Sequence, residues 1–405
     1  MIAEPAAGPL AGRKVLVGVT GGIAAYKAAD LVSRLVELGA QVDVAMTPAA
    51  GAFVTAGTFA ALSQRPVHDD VLERWGPTST GHVSLAQAAD VYIVVPATAN
   101  SIARLASGMA DDMVGSAALA ATCPLLVAPA MEHHMWRHPA TVANVATLQE
   151  RGVAIVGPES GHLASGEVGD GRLAAMETLI GAIRAALGRN GPLAGRRILV
   201  SAGGTREPLD PVRFLGNRSS GRMGRSLAEA AIDLGATVDL VTTVASHAGL
   251  YGADVALVET AAEMADALRA RVDGAAALVM CAAVADYRPA RSSDAKLKRA
   301  DSGAAFELAL VENPDILRSL DSPGVLRVGF AAETDDLVAH GQAKLAAKRL
   351  DLVVVNEARA TIGGRDIRPT LLFPDGSTEE LPLLTKEAFG RLLMGRVAEL
   401  LAARP

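Results

Sequence analysis

Residues 14–22 read KVLVGVTGG, and residues 196–204 read RRILVSAGG. Each stretch is an apolar segment rich in valine, isoleucine and leucine that runs directly into a pair of glycines. A buried strand followed by a glycine turn and a helix is typical of α/β proteins with parallel sheets. The hexapeptide GPLAGR occurs at 8–13 and again at 191–196, so it leads into both stretches. The chain therefore contains two modules that begin alike, although this arrangement is common enough not to require a duplication.

Apolar and amphipathic segments alternate through both modules, which predicts an α/β protein with two doubly wound, mostly parallel-sheet domains. In the first module we expect strands at 14–20, 41–46, 91–95, 124–128 and 153–156, and helices that include 22–38 and 138–151. In the second we expect strands at 197–202, 237–243, 277–284, 326–331 and 351–356, helices at 220–235, 261–272, 335–349 and 385–403, and a hairpin at 371–383. The glycine- and proline-bearing segment LGRNGPLAG (187–195) predicts domains 1–188 and 189–405.

The composition excludes several classes of function. The chain has 405 residues, 50% of them hydrophobic, and a net charge of −6, which argues against a nucleic-acid partner. The longest apolar run, 275–285, is shorter than the roughly 20 residues that span a bilayer, so we expect no membrane association. Cys123 and Cys281 lie in apolar stretches, which predicts free thiols in a reducing compartment. Because the first ten residues lack the features of a secretory signal, we expect a cytoplasmic protein.

Small and hydroxyl-bearing residues follow the predicted strands of the first module. They are TGGIAAYK (20–27), MTP (46–48), PATANS (96–101) and PAM (129–131). Ligands of open α/β sheets lie at the carboxyl ends of the strands, and the free N–H groups of a helix start bind phosphate. Each stretch is a weak signal alone, and the G-x-G-x-x-G fingerprint of dinucleotide binding is absent from these turns.

Together, GGIAAYK, MTPAAGAFV, GHVSLAQAAD, PATANSIARLASGMADD and PAMEHHMW resemble, in this order, the homo-oligomeric flavin-containing cysteine decarboxylases over about residues 12–185. The resemblance implies a flavodoxin-like or Rossmann-like domain that binds FMN. The residues implied for the cofactor are Gly21, Gly22, Ile23, Thr47, Pro96, Ala97, Thr98, Ala99, Asn100 and Met131. His82 would be the catalytic base, and the alternative is a histidine that caps the start of a helix.

Two positions depart from that family. Its motif PxMNxxMW has an asparagine that holds the substrate carboxylate, where this chain has Glu132. A carboxylate cannot donate a hydrogen bond unless it is protonated, and it repels another carboxylate. The family's flap has a cysteine that donates a proton, where this chain has Ser165, whose hydroxyl is a much weaker acid. The final protonation would then be carried by Ser165, water, Glu132, Glu167 or a nearby histidine.

The stretch around Glu132 also suggests a metal site, because EHHMWRH (132–138) contains three of the eight histidines of the chain. Adjacent side chains of a helix point about 100° apart, so we expect only His134 and His138 to share a face. A zinc site needs convergent ligands. The sequence therefore predicts no fixed metal site in the protein.

The second module has its own set of polar turns. SAGGTREP (201–208) and GNRSSGRMG (216–224) bring hydroxyls, glycines and arginines to a predicted helix start, which favours phosphate but also suits an ordinary capped helix. AAVADY (282–287), KLKR (296–299), NPDI (313–316) and GFAAET (329–334) follow. Lys344 and Lys348 lie one helical turn apart, an arrangement that on its own usually marks a solvated face.

This order of motifs resembles phosphopantothenate–cysteine ligases over about residues 190–403. The resemblance implies a Rossmann-like domain in which Arg213, Asn217 and Lys296 handle an acyl-nucleotide intermediate. The residues implied for the nucleotide are Gly203, Gly204, Met280, Cys281, Ala282, Asp286, Lys296, Asn313, Pro314, Asp315, Ile316, Phe330, Lys344 and Lys348. In bacterial members the nucleotide is CTP, bound with Mg²⁺, and the sequence does not separate CTP from ATP beyond that analogy.

The two resemblances imply consecutive steps of coenzyme A biosynthesis. The substrates would be 4′-phosphopantothenate, cysteine and CTP, and the flavin domain would decarboxylate the ligated product to 4′-phosphopantetheine. The families imply trimers through the first domain and dimers through the second, and hence a homo-oligomer as large as a dodecamer.

Two alternatives stay open because of Glu132 and Ser165. The flavin domain could be impaired or altered in its chemistry, or it could be a flavin-binding scaffold or regulatory module.

Overall fold

The computed structural model describes residues 9–72, 81–247, 249–297, 307–320, 323–333, 336–357 and 364–404. The chain divides into two compact units, with the boundary between Leu187 and Gly188. Each unit has its own sheet and its own core. Among the described helices, none has both the length and the apolar composition needed to cross a membrane.

The first unit alternates strands and helices. Its strands are β1 Lys14–Val19, β2 Gln41–Met46, β3 Val67–His68, β4 Val91–Ala97, β5 Leu125–Pro129, β6 Ala154–Ile155, β7 Glu159–His162 and β8 Val168–Arg172. Its helices are α1 Ala25–Glu37, α2 Ala56–Ser63, α3 Gly81–Ala88, α4 Ala99–Ser107, α5 Met113–Ala120, α6 His133–Arg137, α7 Pro139–Glu150 and α8 Met176–Gly188. A 3₁₀ helix covers Pro48–Ala52.

The central sheet of the first unit is parallel and has the order β3-β2-β1-β4-β5-β6. Every residue of β4 is buried, because helices cover both faces of the sheet. Helix α1 buries Ala28, Leu31, Val32 and Leu35, which lie on one face at helical spacing. The strand order reverses between β1 and β4, and the crevice at such a reversal is where doubly wound folds bind ligands. β7 and β8 form a separate antiparallel hairpin.

The second unit repeats this plan with additions. Its strands are β9 Arg197–Ala202, β10 Arg206–Pro208, β11 Phe214–Gly216, β12 Thr237–Thr242, β13 Ala253–Leu257, β14 Ala277–Met280, β15 Tyr287–Pro289, β16 Leu310–Glu312, β17 Leu326–Glu333, β18 Leu352–Glu357, β19 Asp366–Ile367, β20 Pro369–Leu372, β21 Thr378–Glu380 and β22 Leu384–Thr385. Its helices are α9 Arg222–Asp233, α10 Ala261–Val272, α11 Ile316–Ser319, α12 Leu337–Ala347 and α13 Lys386–Ala402, with a 3₁₀ helix at Ala245–His247.

The main sheet of the second unit has the order β13-β12-β9-β14-β17-β18-β20-β21. Its first part is parallel and repeats the order of the first unit, with the reversal between β9 and β14. β20 and β21 are antiparallel and form the expected hairpin, closed at Phe373 and Ser377. The prediction of two doubly wound, mostly parallel sheets is therefore confirmed.

The predicted strand 277–284 is too long. β14 ends at Met280, and the following apolar residues leave the sheet as a loop. Ala283 exchanges backbone hydrogen bonds with the loop after β9, through Gly203 O at 2.8 Å and the N–H of Thr205 at 3.2 Å. An apolar run does not show where a buried strand ends, because the half-buried loop beyond it is just as apolar.

Candidate functional sites

The glycine turn after β1 meets the loop after β4 at the switch point of the first unit. The buried hydroxyl of Thr20 donates to the carbonyl of Pro96 at 2.6 Å and accepts from the N–H of Thr98 at 3.2 Å. Thr98 in turn caps α4 by accepting from the N–H of Ser101. A Cβ on Gly22 would lie 3.4 Å from the methyl of Thr98. The structure thus brings two of the predicted cofactor loops together.

Thr47 and Gly21 bring the loop after β2 to the same crevice. A Cβ on Gly21 would lie 2.5 Å from the Cβ of Ala49, so a side chain at 21 would clash and glycine is required for this close approach. Thr47 is 8% exposed, and its hydroxyl is buried without a hydrogen-bond partner among the described residues. Leaving a buried hydroxyl unpaired costs about 1–3 kcal/mol. A bound phosphate would supply the missing partner, and this arrangement therefore fits a phosphorylated cofactor such as FMN.

The loop after β5 lies beside these residues. The N–H of Ala130 donates to the carbonyl of Ala97 at 3.0 Å, and the N–H of Met131 donates to the carbonyl of Gly171 at 2.9 Å. Met131 is therefore held between the predicted cofactor loop and the β7–β8 hairpin. Ile23 and Asn100 are exposed.

His82 lies in the first turn of α3, close to its start at Gly81. Its Nδ1 atom is buried and has no hydrogen-bond partner within the described part of the chain. Residues 73–80, which precede the helix, lie outside the described residues, so a cap bond to them is not addressed. The catalytic role of His82 stays a prediction.

The expectation that His134 and His138 share one helical face is wrong. α6 ends at Arg137, and His138 has the extended conformation that a residue before proline adopts. It caps the N-terminus of α7 instead, where its ring nitrogen accepts from the N–H of Ala140 at 3.2 Å.

Glu132 caps α6 rather than lying within it, and this places its carboxylate over both following histidines. One oxygen accepts from the N–H of His134 at 2.8 Å and of Met135 at 3.3 Å. The other oxygen lies 2.5 Å from Nδ1 of His133 and 3.0 Å from Nδ1 of His134. Burial opposes ionisation, but the hydrogen bonds from the His134 backbone, the His134 ring and the Met135 backbone together lower the pKa of Glu132.

Ser165 lies exposed in the turn of the β7–β8 hairpin, which is closed by a hydrogen bond from the N–H of Gly166 to the carbonyl of Leu163. Glu167, at the end of that turn, places a carboxylate oxygen 3.3 Å from Nδ1 of His133. Glu132, His133, His134 and Glu167 therefore form one group of polar side chains, whose ligand atoms all lie within 4.8 Å of one another. This convergence differs from the sequence-based expectation because Glu132 stands outside the helix.

In the second unit, Asp210 organises the predicted catalytic Arg213. Its buried carboxylate accepts from the Arg213 guanidinium at 2.9 and 2.5 Å and from the backbone N–H groups of Val212 and Arg213. The guanidinium beside it holds the pKa of Asp210 far below the ordinary range. Arg213 also donates to the carbonyl of Leu297 at 2.8 Å, and Asp210 accepts from the N–H of Leu297 at 3.2 Å. The pair therefore fixes the segment that carries the exposed side chain of Lys296.

The loop after β14 is the meeting point of the predicted nucleotide residues. The Ser201 hydroxyl accepts from the N–H groups of Cys281 and Ala282, each at 3.1 Å. The Asn217 side-chain amide donates to the carbonyl of Val284 at 3.0 Å. Gly204 pairs with Ala283, and a Cβ on it would lie 2.7 Å from the carbonyl of Asn217. The two glycine loops of this unit are thus brought onto one short segment.

Asn313 ties the NPDI loop to this segment. Its side-chain amide donates to the carbonyl of Ala285 at 2.9 Å, and its backbone N–H donates to the carbonyl of Asp286 at 2.8 Å. Its side-chain oxygen accepts from Arg288 at 3.0 Å. The side chain of Asp286 is exposed beside it. Asn313 therefore positions the loop, while direct contact with a nucleotide stays a prediction.

Lys344, which lies in α12, and Lys348, which follows the helix, reach different partners. Lys344 donates to the carbonyl of Phe330 at 2.5 Å. Lys348, the C-cap residue of the helix, pairs with Asp315 at 3.2 Å. Both contacts join residues that were predicted to bind the nucleotide, and neither lysine lies on a purely solvated face. Pro314 lies in the same loop just before Asp315, and Ile316 just after it begins α11.

The sequence reading missed the residues that hold these loops. Thr20, Ser201 and Thr205 are fully buried hydroxyls at or just past strand ends, and each one accepts a backbone N–H from a neighbouring loop. A threonine or serine at the end of an apolar strand was the available signal, since a hydroxyl there is buried and needs a partner.

Two family models match consecutive parts of the chain. The flavoprotein family model matches residues 4–188, and the model for the C-terminal domain of DNA/pantothenate metabolism flavoproteins matches residues 193–401. The coenzyme A biosynthesis bifunctional protein CoaBC of Vibrio vulnificus is 42% identical over 398 residues, which cover 97% of this chain and 99% of the relative. CoaBC of Mycobacterium bovis is 45% identical over 369 residues, which cover 85% of this chain and 86% of the relative.

Among solved structures, the C-terminal domain of a coenzyme A biosynthesis bifunctional protein CoaBC is 33% identical, with a TM-score of 0.44. The match covers 53% of this chain and all of that domain. The identity to the curated relatives extends over both modules and nearly their whole lengths. The chain therefore belongs to the CoaBC family of bifunctional coenzyme A biosynthesis proteins.

Proposed function

We propose that the second domain, residues 189–405, joins cysteine to 4′-phosphopantothenate with CTP and Mg²⁺. The observation that supports this most strongly is the nearly full-length identity to the CoaBC relatives, whose names state a bifunctional role in coenzyme A biosynthesis. The carboxylate would attack the α-phosphate of CTP to give an acyl-cytidylate and pyrophosphate, and the amine of cysteine would then displace the nucleotide.

The residues of the second domain suit these roles. Three neighbouring segments hold the loop from Cys281 to Asp286. This loop would bind the nucleotide together with the NPDI loop, Lys344 and Lys348. Lys296 is exposed and its segment is fixed by Asp210 and Arg213, so its ammonium can neutralise charge that develops as pyrophosphate leaves. Asn217 is fixed by its bond to Val284 and would orient the acyl carbonyl.

We propose further that the first domain, residues 1–188, binds FMN and decarboxylates phosphopantothenoylcysteine to 4′-phosphopantetheine. The unpartnered hydroxyl of Thr47 and the close-packed turn at Gly21 would hold the phosphate, and the 96–100 loop and Met131 would lie along the ring. A bound flavin supplies the electron sink that loss of CO₂ requires. His82, whose buried Nδ1 is unpartnered among the described residues, would accept the proton.

A second candidate function is favoured by Glu132 and Ser165. Glu132 carries a negative charge where the resembled family has a neutral donor, and its lowered pKa keeps it ionised at neutral pH. A domain that binds flavin without decarboxylating would account for both replacements. In that case the ligase would be active and the pathway would stop at phosphopantothenoylcysteine.

Carboxyl-labelled phosphopantothenoylcysteine distinguishes the two candidates. The proposed decarboxylase releases labelled CO₂, and His82→Ala keeps the flavin absorbance and the ligase activity but loses the release. Retained release in His82→Ala would refute the role of His82, and no release from the wild-type protein would favour the flavin-binding module. For the ligase, Lys296→Gln should lower pyrophosphate release about 100-fold or more, with the exposed neighbour Arg291→Gln as the matched control.

The assembly and the cellular location stay predictions. A homo-oligomer as large as a dodecamer and a cytoplasmic location were expected from the sequence. Light scattering of the purified protein measures the first, and fractionation of cells that produce it measures the second.

A further inference from the structure

The group of Glu132, His133, His134 and Glu167 is built from two separate elements. Glu132 caps α6, His133 and His134 are the first two residues of that helix, and Glu167 lies in the turn of the β7–β8 hairpin. A Cβ on Gly169 would lie 2.9 Å from the Cβ of His133, so glycine lets the hairpin approach the helix. The group is therefore a consequence of tertiary packing and not of neighbouring sequence alone.

Further contacts hold the two elements together. Arg137 pairs with Asp170 at 2.7 Å, which joins the end of α6 to β8. Just before Glu132, the N–H of Met131 donates to the carbonyl of Gly171, which is also in β8. The four side chains are thus fixed between two anchors, which limits how far Glu167 can move away from His133.

The ligand atoms lie somewhat closer together than the ligands of a bound metal ion do. Nδ1 of His133 lies 2.5 Å from the Glu132 oxygen and 3.3 Å from the Glu167 oxygen, and Nδ1 of His134 lies 3.0 Å from that same Glu132 oxygen. A tetrahedral zinc ion with bonds of 2.0–2.2 Å separates its ligand atoms by about 3.3–3.5 Å. Small outward movements of the side chains would therefore admit an ion.

Nδ1 of His133 provides an independent indication of a ligand. The atom is buried, and although it lies near two carboxylates, it has no partner that meets hydrogen-bond geometry among the described residues. The group also places the negative charges of two carboxylates beside two imidazoles. A divalent cation would satisfy the nitrogen and offset the charge.

We propose that Glu132, His133, His134 and Glu167 bind a divalent transition-metal ion, with zinc as the best match. Two imidazole nitrogens and two carboxylate oxygens form a borderline ligand set that suits Zn²⁺ better than Mg²⁺ or Ca²⁺, which prefer oxygen alone. The second oxygen of Glu132 is already oriented by two backbone N–H groups, as ligands of metal sites commonly are. The ion would join the hairpin to α6. This proposal does not depend on the decarboxylase activity.

The test is zinc binding by the full-length protein. After treatment with a chelator and dialysis, the protein is titrated with ZnCl₂ by calorimetry, and its retained zinc is measured by mass spectrometry. We expect about one zinc ion per chain, and Co²⁺ in place of zinc should give the intense visible bands of tetrahedral coordination. His133→Ala and Glu167→Gln should each weaken binding at least ~10-fold, since even residues that only orient ligands contribute that much.

His138→Ala is the matched control, because His138 belongs to the same stretch but caps α7 outside the group. Its zinc affinity should equal that of the wild type. Glu167 lies on an exposed hairpin, so its substitution leaves folding intact and keeps the test valid if His133→Ala does not fold. Absence of stoichiometric zinc, or equal affinity in Glu167→Gln and the wild type, would overturn the proposal and leave a hydrogen-bonded network in its place.

Discussion

Replacing Thr205 by valine tests how the nucleotide loops of the second domain are held. The Thr205 hydroxyl is fully buried and accepts from the N–H of Ala285 at 2.9 Å. Valine has nearly the same shape but no acceptor, so the substitution leaves the Ala285 N–H buried and unpaired. Such a group costs about 1–3 kcal/mol. The next residue is Asp286, which was predicted to bind the nucleotide, so the loop that presents it should open more often.

Hydrogen exchange of peptides that contain residues 281–289 measures this opening directly. A cost of 1–3 kcal/mol corresponds to exchange roughly 5- to 150-fold faster at Ala285 in Thr205→Val, together with a higher KM for CTP. Thr205→Ser is the control, because it keeps the hydroxyl and removes only a methyl group. If the valine and serine variants exchange at the same rate and have the same KM, the hydrogen bond does not organise the loop and the reasoning is refuted.

Three further predictions concern single side chains. Thr47→Val should weaken FMN binding about tenfold or more, because a hydrogen bond to a phosphate is worth ~1.5–3 kcal/mol; fluorescence titration against Thr47→Ser measures it, and equal affinities would contradict the phosphate role. Burial, and then the nearby Arg225, lower the pKa of His247 from its ordinary 6.5, so the folded state binds fewer protons than the unfolded state. Stability should therefore be full above pH 6.5 and fall as the pH drops below it, and His247→Gln should flatten that slope in urea unfolding; an unchanged slope would contradict it. Burial raises the pKa of Cys281 to about 12, so little reactive thiolate forms at pH 8. Iodoacetamide should therefore alkylate Cys281 in the folded protein far more slowly than it alkylates a free cysteine in urea. Peptide mass spectrometry measures both rates, and equal rates would contradict the burial.

The alternation of apolar strands and amphipathic helices was enough to predict both sheets. The strand KVLVGV is buried on both faces and reads as a continuous apolar run. The helix 25–37 has one apolar face, so its buried residues recur every three to four positions. The hairpin at 371–383 was predictable because the PDG turn separates two short strands. The end of β14 was not predictable, because the loop residues Cys281 to Ala285 are as apolar as the strand that precedes them.

Side-chain geometry was harder to predict than topology. Helical spacing suggested that His134 and His138 share a face, but Pro139 starts a new helix and separates them. Glu132 lies at a cap, where its backbone is extended, so the rule of 100° per residue does not apply to it. Glu167 is distant in sequence, and only the packing of the hairpin brings it to His133. Contacts between elements such as this one require the tertiary structure.

The most direct test of the account is a single incubation of the pure protein with 4′-phosphopantothenate, cysteine, CTP and Mg²⁺, followed by mass spectrometry. We expect 4′-phosphopantetheine to accumulate, with one CO₂ and one pyrophosphate for each molecule formed. Accumulation of phosphopantothenoylcysteine without CO₂ would contradict the proposed activity of the first domain. Absence of both products would contradict the ligase activity on which the whole account depends.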